Sequence, residues 1–229
     1  MFNKKQLVQI GLGVVVGVDV SIYTKPEFDW EQMREIRLGL GKGLDVSIYA
    51  KPEFDWVQME QIRFGLELGL DVSVYAKPEF TWGQMEQIRE GLEGCLNVSW
   101  YAKECFNVDQ MREIRLGLQK GSDVSIYAKP KFSWEQMKRI QEGLEHGFNI
   151  SNYPDPEVFW EHLSKVKWYF AKGLDVSICA NPEFSVEQIR EIIRGLEEGL
   201  DVSSYANPDL PLWKMRDIVG WLKEEKNNV

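Results

Sequence analysis

Residues 28–52 read FDWEQMREIRLGLGKGLDVSIYAKP, and each half of this stretch carries its own start and stop signals. In the first half Asp29 stands at an N-cap position with Gln32 three residues on, the pattern of a capping box. Phe28 and Met33 occupy the N′ and N4 places of a hydrophobic staple. Met33, Ile36 and Leu40 then recur at helical spacing, and Gly43 is placed to turn left-handed and end the helix. This predicts a helix, B, of about 14 residues. The caps Thr81 and Ser133, with Gln84 and Gln136, repeat the box elsewhere in the chain.

The second half, Asp45 to Pro52, is too short for periodicity in one copy to separate strand from helix. Copies of it separate the two. The motif (D/N)-(V/I)-S-x-Y, with Cys179 in the last place once, begins at Asp19, Asp45, Asp71, Asn97, Asp123, Asn149, Asp175 and Asp201, each 26 residues after the one before. Its fourth position holds Ile22, Ile48, Val74, Trp100, Ile126, Asn152, Ile178 and Ser204, so it tolerates polar residues where the aliphatic and tyrosine positions hardly vary. A strand would set the tolerant and the strict aliphatic positions on one face, whereas a helix groups Val46, Tyr49 and Ala50 at i, i+3 and i+4. The pattern therefore predicts a short helix, A, of a turn and a half. Asp45 is its N-cap, Leu44 and Tyr49 are its staple, and Pro52 forbids its continuation.

A fixed period of this length is the signature of a repeat array in which neighbouring units share one core. The expectation is an all-α chain, an α-solenoid of 26-residue helix-turn-helix repeats filling a single domain. Residues 19–226 hold eight units, 1–18 an N-terminal half-repeat cap and 227–229 a tail. Lys4 and Lys5 before an apolar run have the look of a secretory signal. In the repeat register, however, Phe2, Asn3, Gln6, Leu7, Ile10, Gly13 and Gly17 fall on Phe28, Asp29, Gln32, Met33, Ile36, Gly39 and Gly43, which makes this segment another helix B. A glycine inside helix B recurs at positions 13, 39, 65, 91, 117, 143 and 195; it weakens a helix by roughly 1 kcal/mol, and close helix-helix approach is the reason expected for it. At the far end Trp221 replaces that glycine and Lys223 to Asn228 is wholly polar, as in a cap.

Composition narrows the function. The chain has 229 residues, 36 acidic against 27 basic and a net charge of -9, which argues against a nonspecific binder of phosphate backbones and makes nucleic acid an unlikely partner. Cys95, Cys105 and Cys179 are an odd count without CxxC spacing, which fits free thiols in a reducing, cytoplasmic setting. Two histidines, no apolar run of about 18 residues and no phosphate-loop, metalloprotease or nucleophile-elbow motif leave no expected catalytic, metal or cofactor site and no membrane partner. The motif serines read as N2 residues that satisfy local backbone groups.

In a solenoid one repeat position becomes a row. Ile22, Ile48, Val74, Trp100, Ile126 and Ile178 form an apolar row whose exposure is implied by Asn152 and Ser204 in the same places; it either meets a partner or tucks against the next repeat. Arg37, Arg63, Arg89 and Arg115, continued by Gln141 and Lys167, form a basic row that either grips an anionic partner or, with Glu67 and Glu93 four residues on, belongs to a salt-bridged face. Trp30, Trp56, Trp82, Trp134 and Trp160 at N1 of helix B are expected to pack between units. Departures cluster in and just before the fourth unit, with Cys95, Glu104, Cys105 and Val108, and in the sixth, with Pro154, Pro156, Phe159 and Tyr169. They are either drift or a local bend or pocket.

The phrase VSIYAKPEFDW, with QMREIRLGLGKGLDVSIYAKPEF, resembles short helical repeats of uncharacterised proteins from conjugative elements and prophages of gut Firmicutes. The resemblance spans nearly the whole chain, implies a bacterial mobile-element setting and assigns no residue a role. The expected function is a non-enzymatic scaffold that binds a protein partner along its A helices. The alternative is a mobile-element inhibitor of a host defence or nucleic-acid enzyme acting through its acidic surface.

Overall fold

The computed structural model describes residues 1–145, 177–180 and 183–227, and every regular element among them is helical. The α-helices are α1 (Lys4–Val16), α2 (Trp30–Gly41), α3 (Trp56–Glu67), α4 (Trp82–Glu93), α5 (Val108–Gln119), α6 (Trp134–Glu145), α7 (Val186–Glu197) and α8 (Leu212–Asn227). Short 3-10 turns alternate with them, among them Val20–Ile22, Val46–Ile48, Val72–Val74 and Val98–Trp100. The period of 26 residues is thus a structural period, and the fold is that of an α-solenoid repeat. The chain divides into two compact units, Met1–Val124 and Ser125–Val229. In the first, α1 packs on α2, α2 on α3, α3 on α4 and α4 on α5; in the second, α7 packs on α8. Asn152, Trp160, Lys167 and the irregular residues of the sixth repeat lie outside the described residues.

The long helices start where the capping boxes predict. Asp29 Oδ1 accepts from the Gln32 N–H at 2.7 Å while the Asp29 N–H donates to Gln32 Oε1 at 2.8 Å. The same reciprocal pair closes α1, α3, α4, α5 and α7 through Asn3, Asp55, Thr81, Asn107 and Ser185. Helix α1 therefore begins as a helix B begins. Helices α1 to α5 and α7 end in Schellman turns: Gly43 adopts φ 71°, its N–H reaches the Leu40 carbonyl, and the Leu44 N–H reaches the Gly39 carbonyl, both at 3.0 Å. Cys95 takes the glycine's place after α4 at φ 55° and still makes both bonds.

The short half of the unit is tighter than the predicted turn and a half of α-helix. Val46–Ile48 is a single 3-10 turn, capped by Asp45, whose side chain accepts from the Ser47 N–H. The Val46 carbonyl accepts from the N–H groups of Tyr49 and Ala50 at 3.0 and 2.7 Å. The turn goes no further because Pro52 disfavours helical backbone at Lys51, whose N–H bonds the Tyr49 carbonyl instead.

This turn delivers the core. Tyr23, Tyr49, Tyr75 and Tyr101 are buried with Phe28, Phe54, Phe80 and Phe106, and with Met33, Ile36 and their equivalents. The recurring glycine is explained by the tyrosine and not by the helix-helix approach that the sequence suggested. A Cβ on Gly39 would stand 1.9 Å from the Tyr49 hydroxyl oxygen and 3.0 Å from Val46 Cγ1. Gly13, Gly65, Gly91 and Gly195 meet Tyr23, Tyr75, Tyr101 and Tyr205 in the same way.

Candidate interaction surface

The aspartate and serine of the motif are occupied locally. Asp45 Oδ1 accepts from both the Ser47 N–H, at 3.0 Å, and the Ser47 hydroxyl, at 2.6 Å, and the pattern recurs at Asp19, Asp71 and Asp201. The serine hydroxyl and then its amide hold the carboxyls of Asp19, Asp45 and Asp201 below the usual carboxylate range. These carboxylates stand exposed on the surface.

The apolar row sits on the same turns. In the first unit Ile22, Ile48 and Val74 are half-buried and Trp100 is 37% exposed. In the second unit Ile126 and Ile178 are half-buried and Ser204 is exposed. The row is therefore neither core nor fully open: one edge of each aliphatic side chain reaches solvent. The N1 tryptophans are more open than expected of inter-unit packing, with Trp56 at 38% and Trp82 at 50%. Trp30, half-buried, lies under the Lys5 ammonium, 4.4 Å from the ring centroid.

The arginine row is turned into the joints between repeats. Arg37 Nε donates to Gln9 Oε1 at 3.0 Å, Arg63 Nε to Glu35 Oε2 at 2.9 Å, and Arg89 and Arg115 Nε to Gln61 and Gln87 Oε1 at 3.0 Å. Each bond links a helix to the one before it. Around Arg63 the joint is fully charged. Glu35 is completely buried, and Arg63 also pairs with Glu67, which Lys42 reaches at 2.6 Å. Burial opposes charge on Arg63 and on Glu67, yet the paired hydrogen bonds prevail, raising the Arg63 pKa and lowering that of Glu67.

A second joint gave no signal beyond its capping role. The side-chain amide of Gln32, whose oxygen closes the box, donates through Nε2 to the Phe54 carbonyl at 2.6 Å and to the Pro52 carbonyl at 3.3 Å. Gln58 does the same to Phe80 and Pro78, and Gln6 and Gln84 reach Phe28 and Phe106. One side chain thus caps its own helix and clamps the next repeat. The clue in the sequence is that the N3 residue of these boxes is glutamine, where glutamate would cap equally well but could not donate. Lys25, Lys51, Lys77 and Lys103, all exposed, form a further row that the sequence reading did not single out.

The irregular fourth unit opens a notch. In α3 and α4 the N1 residue is tryptophan; in α5 it is Val108, and it meets Gly83 at N2 of α4, where a Cβ would stand 3.0 Å from Val108 Cγ2. A cleft of about 360 Å³ lies between Thr81 and Gln84 on one side and Glu104 to Val108 on the other, with Cys105 on its wall. Among the described residues no group of three or more His, Cys, Asp or Glu side chains could hold a metal ion, and no helix is long and apolar enough to cross a membrane. Compared with protein-family models, with curated proteins and with solved structures, the chain matches none.

Proposed function

We propose that this protein is a non-enzymatic interaction scaffold whose protein partner lies along the 3-10 turns of the first unit, on Ile22, Ile48, Val74 and Trp100. The observation that carries this reading is the exposed indole of Trp100 at the end of a half-open aliphatic row. Tryptophan ringed by partly covered apolar contacts is the composition of a binding hot spot. Asp45 and Lys51, three residues before and after Ile48, are exposed and supply polar neighbours to the row. Arg37, Arg63, Arg89 and Arg115 bond across the joints, so this reading rests on the apolar row.

A nuclease-treated pull-down with the wild-type chain and with Trp100→Asp tests it. One dominant protein retained by the wild type and lost in the variant, with helicity and Tm unchanged, is the expected result. Retention in the variant overturns the assignment of the face. A second reading, an inhibitor that presents carboxylates to a basic groove in a mobile-element setting, is favoured by the exposed Asp19, Asp45 and Asp201 in a chain of net charge -9. Under it, binding weakens steeply between low and physiological salt; binding indifferent to salt rejects it.

A further inference from the structure

Helix α1 is polar where it packs on its neighbour and apolar where it faces solvent. Its inner side is formed by Gln6, Gln9 and Gly13, which are buried. Its outer side carries Val8, Gly11 and Val15 at i, i+3 and i+7, flanked by Leu7, Leu12 and Val14, and all of these are exposed. Leu7 is 55% exposed, whereas Met33, Met59, Met85 and Met111 in the same register are fully covered. Val15 is 84% exposed, where α3 and α4 carry Glu67 and Glu93. A continuous exposed apolar stripe of this kind marks an interaction surface.

Gly11 adds an independent observation. Gly13 has its tyrosine, but a Cβ on Gly11 would meet nothing within 4 Å. Nothing within the chain calls for a glycine there, though it weakens the helix. A glycine in the middle of an open apolar stripe lets a second helix approach closely.

We propose that α1 is a self-association surface: two copies of the chain pair through antiparallel α1 helices, with a two-fold axis beside Gly11. Charge selects the occupant. The protein carries -9 overall, but residues 1–18 contain no carboxylate, so two copies can meet there without acidic repulsion. The α1 dipole is unmatched within the chain, with Lys4 and Lys5 at its positive end and no basic residue in its last turn. Antiparallel pairing sets Lys4 of each copy against the negative C-terminal turn of the other. Leu7, Val8, Leu12, Val14, Val15 and Val16 are 55%, 50%, 43%, 63%, 84% and 57% exposed, a continuous apolar surface that a second copy can cover. A contact of α1 with α1 of a second copy about a two-fold axis is isologous and closes at two copies.

Light scattering on the full chain at about 100 µM tests this in a range where micromolar dimers are populated. The expected mass is twice 26.6 kDa. Val15→Glu, and separately Val8→Glu, return it to the monomer with circular dichroism unchanged, since both side chains already face solvent. Trp221→Glu and Trp100→Asp leave the dimer intact, which separates this surface from the far end of the chain and from the proposed partner face. A monomeric wild type, a dimer that survives Val15→Glu, or a monomer whose α1 instead binds phosphatidylglycerol vesicles would overturn the proposal.

Discussion

The Tyr49 hydroxyl lies directly over Gly39 and donates to the Glu35 carbonyl at 3.2 Å. Tyr75 and Tyr101 repeat the relationship over Gly65 and Gly91, donating to Gln61 and Gln87. A helix-weakening residue thus becomes the socket into which each following turn locks. Gly39→Ala gains about 1 kcal/mol of helix propensity but forces the phenol off its seat, for a net loss of about 2 kcal/mol. Urea denaturation should show this loss, and Tyr49→Phe should cost only about 1 kcal/mol, since the cavity stays filled.

Cys95 is the only non-glycine residue with positive φ among the described residues. The left-handed backbone costs a residue bearing Cβ about 1–2 kcal/mol, part of which glycine returns as chain entropy. Cys95→Gly should therefore raise stability by about 1 kcal/mol. A variant no more stable than wild type in urea would show the turn to be relaxed.

The clamp distinguishes glutamine from glutamate. Gln58→Glu keeps the capping box but sets a carboxylate against the Phe80 and Pro78 carbonyls, where Nε2 now stands at 2.7 and 3.2 Å. A loss of about 2–3 kcal/mol at pH 7 is expected, shrinking as the introduced acid is protonated below its raised pKa. Denaturation at pH 7 and pH 4 reads both effects.

At the charged joint the array contains its own control. Gln9, Gln61 and Gln87 fill the position of Glu35 and accept from arginine with the same geometry. Glu35→Gln should change stability by less than about 1 kcal/mol, whereas Arg63→Met, which leaves the buried Glu35 carboxylate only the Arg34 guanidinium at 3.7 Å, should cost about 3 kcal/mol. Thermal melts of the two variants compare them directly.

Burial raises the phenol pKa of Tyr23, Tyr49, Tyr75 and Tyr101 above the ordinary 10.0, and pushes that of Tyr205 up to about 12. The folded chain keeps protons that the unfolded chain releases, so the stabilisation is complete below pH 10 and is lost as pH rises towards the shifted values. Each buried tyrosine adds a slope of about 1.4 kcal/mol per pH unit in that window. Phenolate absorbance should accordingly appear together with loss of helicity, in one cooperative alkaline transition.

Period, caps and stops were legible in residues 28–52 and their copies, because each is set by neighbours within one turn; that the short half winds as a 3-10 turn was not. Asp29 with Gln32, and Gly43 after Leu40, need no tertiary partner to act. The identity of the apolar row was legible too, since Asn152 and Ser204 betray a position that tolerates water. What the sequence could not give was the far end of each bond. Arg63 was read against Glu67, four residues away on its own helix, and it does make that pair; its buried partner is Glu35, on the preceding helix. Gln32 is legible as a cap and is also a clamp on the next repeat. The glycine inside helix B had a visible cost and an invisible cause, a tyrosine ten residues on. Local spacing alone determined where the chain turns; only the stacking of one repeat on the next decided which polar groups are buried together, because that depends on a rotation between units that no single repeat encodes.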